Sequence, residues 1–135
     1  MVTGKGLNTL IEAFGLVVDN WRTSDYPALI LAGDGPSSDQ LKVLAKKYAG
    51  YIRLIGFVSP SKLPSLYDMC DVFILPSLFD PWGLVVNEAM NAGKPVVTSD
   101  KVGASADLIQ EGKNGAVFKA GDSQDLSIIS FYLFY

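Results

Sequence analysis

The stretch "FDPWGLVVNEAMNAGKPVV", Phe79–Val97, sets two carboxylates, Asp80 and Glu88, into an apolar helix-and-strand segment. Acids among core residues are costly unless they find hydrogen-bond donors, so these two are either satisfied structurally or placed for a ligand. The segment reads as a helix, "GLVVNEAMNAG", leading into a strand, "KPVVTSD". That strand is apolar without alternation, the pattern of a strand covered on both faces.

The same alternation continues on both sides. Downstream come a short helix through "SADLIQEG" and the strand "GAVF"; upstream lies the strand "DVFILPS". Before that, "SPSK" opens a helix with Pro60 near its first turn and Leu63, Leu66, Tyr67 and Cys70 on one face. "YIRLIGFV" is a further strand, preceded by a helix with Leu41, Leu44, Ala45 and Tyr48 as its apolar face and Ser37 and Ser38 as caps. "ALILAGDGP" reads as a strand buried on both faces and ended by Gly33, Gly35 and Pro36. Leu7, Leu10, Ile11, Phe14, Val18 and Trp21 predict a first helix from Leu7 to Trp21. Strands and helices taking turns in this way make a doubly wound α/β domain with a parallel sheet, and no repeat or linker divides residues 1–135.

Two features depart from that class. A doubly wound unit opens on a strand, yet "MVTGKG" is too short and glycine-rich to be one, so the sheet is expected to lack its first strand. The uncharged tail "SIISFYLFY" breaks the helical pattern that "SQDL" begins. Its Ile, Phe and Tyr content is strand-like, so Ser127–Tyr135 can fill the place of the missing strand in its own subunit or in a partner, and the expectation is self-association, or marginal stability if nothing fills it.

Composition excludes several functions. The 49% hydrophobic and 19% charged content argues for a compact fold rather than disorder. With 11 basic against 14 acidic residues, a net charge of −3 and no basic run, nucleic acid is not an expected partner. A single cysteine, Cys70, excludes an intrachain disulfide and fits a reducing, cytoplasmic setting. The absence of histidine removes Ser-His and Cys-His pairs and the commonest metal ligand, and no apolar run reaches the ~18–20 residues of a membrane span. Carboxylates, lysine and backbone are left to carry the chemistry.

In open parallel sheets ligands bind beyond the carboxyl ends of the strands. The loops there are "AGDGP", "GFVSP", "PSLFDPWG" and "TSDKVGAS", joined by the segment that carries Lys5. Gly83 directly precedes a helix, so the amides of Leu84, Val85 and Val86 are expected to lack partners and to form an anion site. Two acids beside such a site repel a simple anion. They fit a ligand with phosphates for the amides and Lys5 and hydroxyls for Asp80 and Glu88, which is the chemistry of a nucleotide sugar. Taken singly, each feature has a plainer reading. Glu88 can be a dipole-stabilised helix acid, Asp80 a turn residue before Pro81, Lys5 a surface lysine, and Trp82 a core or interface aromatic. Their convergence at one sheet edge favours the ligand.

From about Lys5 to Asp125 the segments "GKGLNTLIEAF", "LILAGDGP", "IRLIGFVS" and "LYDMCDVFILPSLFDPWGLVVNEAMNAGKPVVTSDKVGASADLIQEGKNGAVF" resemble the carboxyl-terminal, donor-binding half of a GT-B glycosyltransferase of family 4, the group 1 glycosyltransferases. The resemblance implies a Rossmann-like domain and a donor site in which two acids stand seven residues apart, here Asp80 and Glu88. It implies that Glu88 accepts from the nucleotide's ribose and that Asp80, one methylene shorter than the family's glutamate, faces the transferred sugar. Lys5 matches the diphosphate-binding lysine and, with Asp80, a catalytic position. Gly33 lies on the donor side, and Phe57 and Val58 match the segment that meets the base. The implied reaction is metal-independent and needs no cofactor. It retains the anomeric configuration, with the amides of Leu84 and Val85 and Lys5 stabilising the leaving diphosphate. The family's upstream arginine and its catalytic histidine are not among these residues, and the acceptor site belongs to an amino-terminal domain expected to be absent from this chain. In the full-length enzyme the expected location is cytoplasmic and peripheral to the membrane. The competing reading is a truncated or stand-alone nucleotide-sugar or phosphate-binding module without turnover.

Overall fold

The computed structural model describes residues 5–134, so residues 1–4 of "MVTGKG" and the last residue of the tail lie outside the described residues. The elements run α1 (Leu7–Asp19), β1 (Leu29–Ala32), α2 (Ser38–Ala45), β2 (Ile52–Gly56), α3 (Leu63–Met69), β3 (Phe73–Leu75), α4 (Leu84–Asn91), β4 (Val96–Ser99), α5 (Ala104–Leu108), β5 (Gly115–Phe118) and α6 (Ser123–Phe134). All strand pairs are parallel, in two sheets ordered β1-β2 and β3-β4-β5. The alternating α/β architecture is the one the sequence predicts. No described strand precedes α1, and β1 and β3 each lie at an edge of their sheet. By contacts the chain forms two compact units, one built from Leu7–Val58 and α6, the other from Lys5, Gly6 and Ser59–Gly121.

In the first unit, α1 buries Leu10, Ile11, Ala13, Phe14 and Val17 and ends at Asp19, two residues before the predicted Trp21. Asn20 N–H and Trp21 N–H bond back to the carbonyls of Val17 and Val18 (3.2 and 3.1 Å), tightening the chain out of the α-helix. β1 corrects a second expectation, because only one of its faces is covered. Leu31 is buried while Ile30 is 43% exposed, and its partner strand repeats this with Ile52 buried and Ile55 42% exposed. Adjacent strand residues point to opposite faces, so an unbroken apolar run says nothing about whether the second face has a cover. The caps of α2 differ too. Neither Ser37 nor Ser38 makes a side-chain cap bond, and the Ser38 hydroxyl instead donates to Asp34 Oδ1 at 2.9 Å. That bond, with the Gly35 N–H on the same oxygen, holds the Asp34 carboxyl below its usual range.

The tail is not a strand. Asp122 Oδ1 accepts the Asp125 N–H at 2.9 Å and starts α6, which continues through the apolar run. Ser127 and Ser130 turn their hydroxyls onto the carbonyls of Gln124 and Leu126 (2.7 and 2.8 Å), so neither opposes the helix with an unmet polar group. Within its unit α6 packs on α1, with Leu126 fully buried and Phe131 edge-on to Trp21 at 6.0 Å.

The second unit is ordered Phe73↔Val96↔Gly115 across its strands, with central β4 buried along its whole length. Val86 and Ala89 of α4 are fully buried against Tyr67, Leu75, Val96, Val102 and Ala104. Gly6 approaches β3 so closely that a Cβ would stand 1.8 Å from the Pro76 carbonyl oxygen, which puts Lys5 at the carboxyl end of that strand. No helix among the described residues is long and apolar enough to cross a membrane.

The packing of α6 predicts that Leu126→Ala lowers unfolding free energy by about 2–5 kcal/mol, the usual cost of emptying a buried leucine site. Urea unfolding followed by circular dichroism measures it. An unchanged midpoint would show that this helix contributes nothing to the first unit.

Candidate functional site

The loops that follow β3 and β4 carry the parallel pairing past the ends of the strands. Asp80 and Val102 form a parallel bridge, with Asp80 N–H donating to the Lys101 carbonyl (3.0 Å) and Gly103 N–H to the Asp80 carbonyl (2.9 Å). Ala104 N–H then bonds the Trp82 carbonyl at 2.8 Å. A Cβ on Gly103 would stand 1.9 Å from the Pro81 carbonyl oxygen, so the loops meet backbone to backbone and only glycine fits. Gly83 ends the loop in the left-handed region, φ +86°, and caps α4.

This frame fixes Asp80. Its Oδ1 accepts the Trp82 N–H at 3.2 Å and its Oδ2 lies 3.6 Å from Lys5 Nζ, the Lys5 side chain being 47% exposed. The first bond of α4 runs from Val86 N–H to the Gly83 carbonyl at 2.9 Å. Val86 is therefore not an open donor, as the sequence had suggested, and the amides of Leu84 and Val85 remain at the helix end. The reason is a tightened first turn, which engages one amide earlier than an ideal α-helix would. Trp82 is tied to α4 by its indole N–H, which donates to Asn87 Oδ1 at 2.9 Å.

Glu88 is exposed on the second turn of α4, one turn beyond Leu84. Its Oε2 accepts the Tyr67 hydroxyl at 2.8 Å. Tyr67 is a buried residue of α3, and burial first, then the bond to Glu88, push its hydroxyl well above the ordinary tyrosine range. Sequence reasoning placed Tyr67 on the apolar face of its helix and missed the polar tip. It also missed buried hydroxyls at the strand ends. Ser99 donates to the Ser77 carbonyl and accepts the Lys101 N–H, while Ser77 Oγ and Thr98 Oγ1 have no partner among the described residues. The only signals for these were the serines and threonine of "LPS" and "VTS".

Lys5, Asp80, Gly83, Leu84, Val85 and Glu88 thus all belong to the second unit. Gly33, Phe57 and Val58 belong to the first, at the carboxyl ends of β1 and β2, where Gly33 N–H bonds the Gly56 carbonyl at 2.7 Å. Phe57 is 76% exposed and Val58 half-buried. A shallow groove of the first unit, lined by Leu16, Leu44, Tyr48 and Gln124 among others, contains none of the predicted site residues. It is open surface beside α1, and its polar side chains are engaged with one another, Asp19 accepting the Tyr48 hydroxyl at 3.0 Å and lying 3.9 Å from Lys47 Nζ.

Comparison with known proteins gives a consistent result. The family "Glycosyl transferases group 1" matches residues 1–128. An uncharacterized glycosyltransferase of Methanocaldococcus jannaschii is 34% identical over 113 residues, which are 82% of this chain and 28% of that protein. The alpha-D-kanosaminyltransferase of Streptomyces kanamyceticus is 30% identical over 115 residues, 84% of this chain and 29% of that protein. This chain therefore spans less than a third of either relative. Among solved structures, Anabaena HepE in complex with UDP and glucose superposes with a TM-score of 0.83 at 27% identity, over 99% of this chain and 36% of that one.

The Tyr67–Glu88 bond predicts a pH dependence. A tyrosine raised in the fold ionises more easily in the unfolded chain, near its ordinary value of about 10. Its stabilisation is present below that pH and is lost as pH rises above it toward the folded-state value. The melting temperature of the wild type is expected to fall more steeply above about pH 10 than that of Tyr67→Phe. Parallel curves would show that this hydroxyl is not coupled to folding.

Proposed function

Because the chain belongs to the family of group 1 glycosyl transferases, we propose that it is the donor-binding, carboxyl-terminal type of domain of a family 4, GT-B glycosyltransferase that uses a nucleoside diphosphate sugar. The observation that carries this reading is the frame around Gly83. It holds Asp80, paired with Lys5, on one side of the open amides of Leu84 and Val85, and Glu88 one turn further along the same helix. The presence of UDP in the HepE complexes, 27% and 29% identical to this chain, supports a nucleotide donor.

In this reading Glu88 accepts hydrogen bonds from the ribose, Asp80 meets the transferred sugar, and the diphosphate lies against Lys5 and the amides of Leu84 and Val85. Transfer forms a bond from an acceptor oxygen to the anomeric carbon as the bond to the diphosphate oxygen breaks on the same face. The acceptor proton passes to the leaving diphosphate. Lys5 and the two amides stabilise the charge that develops there, so no metal is invoked. Acceptor binding belongs to a further, amino-terminal domain, and the complete enzyme is cytoplasmic and peripheral to the membrane.

Two outcomes test the proposal. In calorimetric titrations with UDP, GDP and ADP, Glu88→Gln is expected to weaken the best ligand about ten- to over a hundredfold, the size of a lost charge-assisted hydrogen bond. Asp80→Asn is expected to weaken it less, because Asp80 meets the sugar rather than the nucleotide. Equal affinities for wild type and Glu88→Gln remove Glu88 from the site. Incubated alone with labelled nucleotide sugars and a broad acceptor panel, this chain is expected to transfer nothing, since an acceptor surface and a closed, water-excluding cleft are both needed. Sustained transfer above a heat-killed control would place the acceptor site within these residues.

A further inference from the structure

We propose that Tyr67 is a positioning residue for Glu88, holding one carboxylate oxygen through its buried hydroxyl so that the rest of the carboxylate is presented to a vicinal diol. The inference rests on the donor reading of the site and adds to it a residue that does not itself touch the donor.

Tyr67 is a fixed point. Only 8% exposed, it stands in the core with Leu75, Val86 and Ala89, and its ring meets Phe73 edge-on at 5.5 Å and 70°. Core packing locks both of its side-chain torsions, so the phenolic oxygen has one place to be. Glu88 is the opposite case, an exposed side chain with three rotatable bonds on a helix surface. Left alone it would sample several rotamers and lose that freedom on binding, which weakens affinity. The 2.8 Å bond from Tyr67 to Oε2 removes that freedom in advance.

The stoichiometry of lone pairs fits the same role. A phenol has one proton to give, and Glu88 Oε2 receives it. Each carboxylate oxygen has two acceptor positions, so Oε1 and the outer position of Oε2 stay open, enough for the two hydroxyls of a ribose. No cation pairs with Glu88 among the described residues, whereas Asp80 has Lys5. Glu88 is therefore oriented by a neutral donor, with no cation beside it among the described residues. A brace between α3 and α4 alone would not need a charged, solvent-facing acceptor; two apolar side chains would serve.

The test uses the tightest binder among UDP, GDP and ADP together with its 2′,3′-dideoxy analogue, titrated into the full chain. In the wild type the ribonucleotide should bind more tightly than the dideoxy form. Tyr67→Phe, which keeps the ring and its packing, should weaken the ribonucleotide about three- to tenfold and leave the dideoxy form unchanged. In a Glu88→Ala background the same substitution should have no effect on either ligand. If the wild type does not distinguish the two nucleotides, the ribose role of Glu88 falls and this inference falls with it. If the wild type distinguishes them but Tyr67→Phe behaves like wild type, or weakens both ligands equally, the donor reading stands and the positioning role of Tyr67 is overturned.

Discussion

The close approach of two backbones at Gly103 and Pro81 is the constraint on which the candidate site depends. Parallel strands diverge into their loops at their carboxyl ends, and that divergence is what opens a crevice in folds of this class. Here the loops after β3 and β4 stay together for several residues, bonded at Asp80, Trp82, Lys101 and Gly103. No side chain can separate them, because position 103 has no room for a Cβ. The loop after β3 therefore has a fixed path, beside β4, which is buried along its whole length. The direction of the Asp80 carboxylate and the start of α4 at Gly83 both follow from that path.

The two carboxylates of Phe79–Val97 are satisfied in different ways, and the difference separates what each has left to offer. Asp80 uses both oxygens, one on the Trp82 amide and one toward Lys5. Its pair with the half-exposed lysine is weak, worth roughly 0–1 kcal/mol as exposed ion pairs are. An anion that approached Lys5 would compete with this pair. Glu88 gives up one acceptor position to a neutral donor and keeps the others. The first acid is thus exchangeable and the second is preset, a division of labour that suits a ligand with both phosphates and hydroxyls.

Much of this was legible in the sequence because α4 and β4 bury one apolar cluster through Val86, Ala89 and Val96, and the starts of α4, β4 and β5 follow from Gly83, the Val96–Val97 pair and Gly115. The tail was misread because α6 is apolar nearly all round. Leu126 and Ser130 face inward while Ile128 and Tyr132 are exposed, so its polar positions do not mark a solvent face. The stronger signal was local, an aspartate at position 122 able to cap the first turn. At Tyr67 the residue type hid the answer, since an aromatic at helical spacing reads as core and its hydroxyl is a separate fact. Val86 was counted as an open amide because a sequence does not reveal whether a first turn is α or tighter.

The helical tail also bears on how the sheet of the first unit is completed. β1 pairs with β2 on one side only among the described residues, and the face that carries Ile30 and Ile55 is exposed. An edge strand beside exposed apolar residues is a template for further pairing, moderated here by Arg53, which sits opposite Ile30 in the register. The tail is not free to take that place. To become a strand it would have to leave α1, expose Leu126, and give up the Asp122 cap and the hydroxyl bonds of Ser127 and Ser130. Losing the burial of one leucine alone costs about 2–5 kcal/mol. A strand that extended β1 would therefore have to come from residues other than α6, and, pairing in the plane of the sheet, it would leave the apolar face at Ile30 and Ile55 as it is.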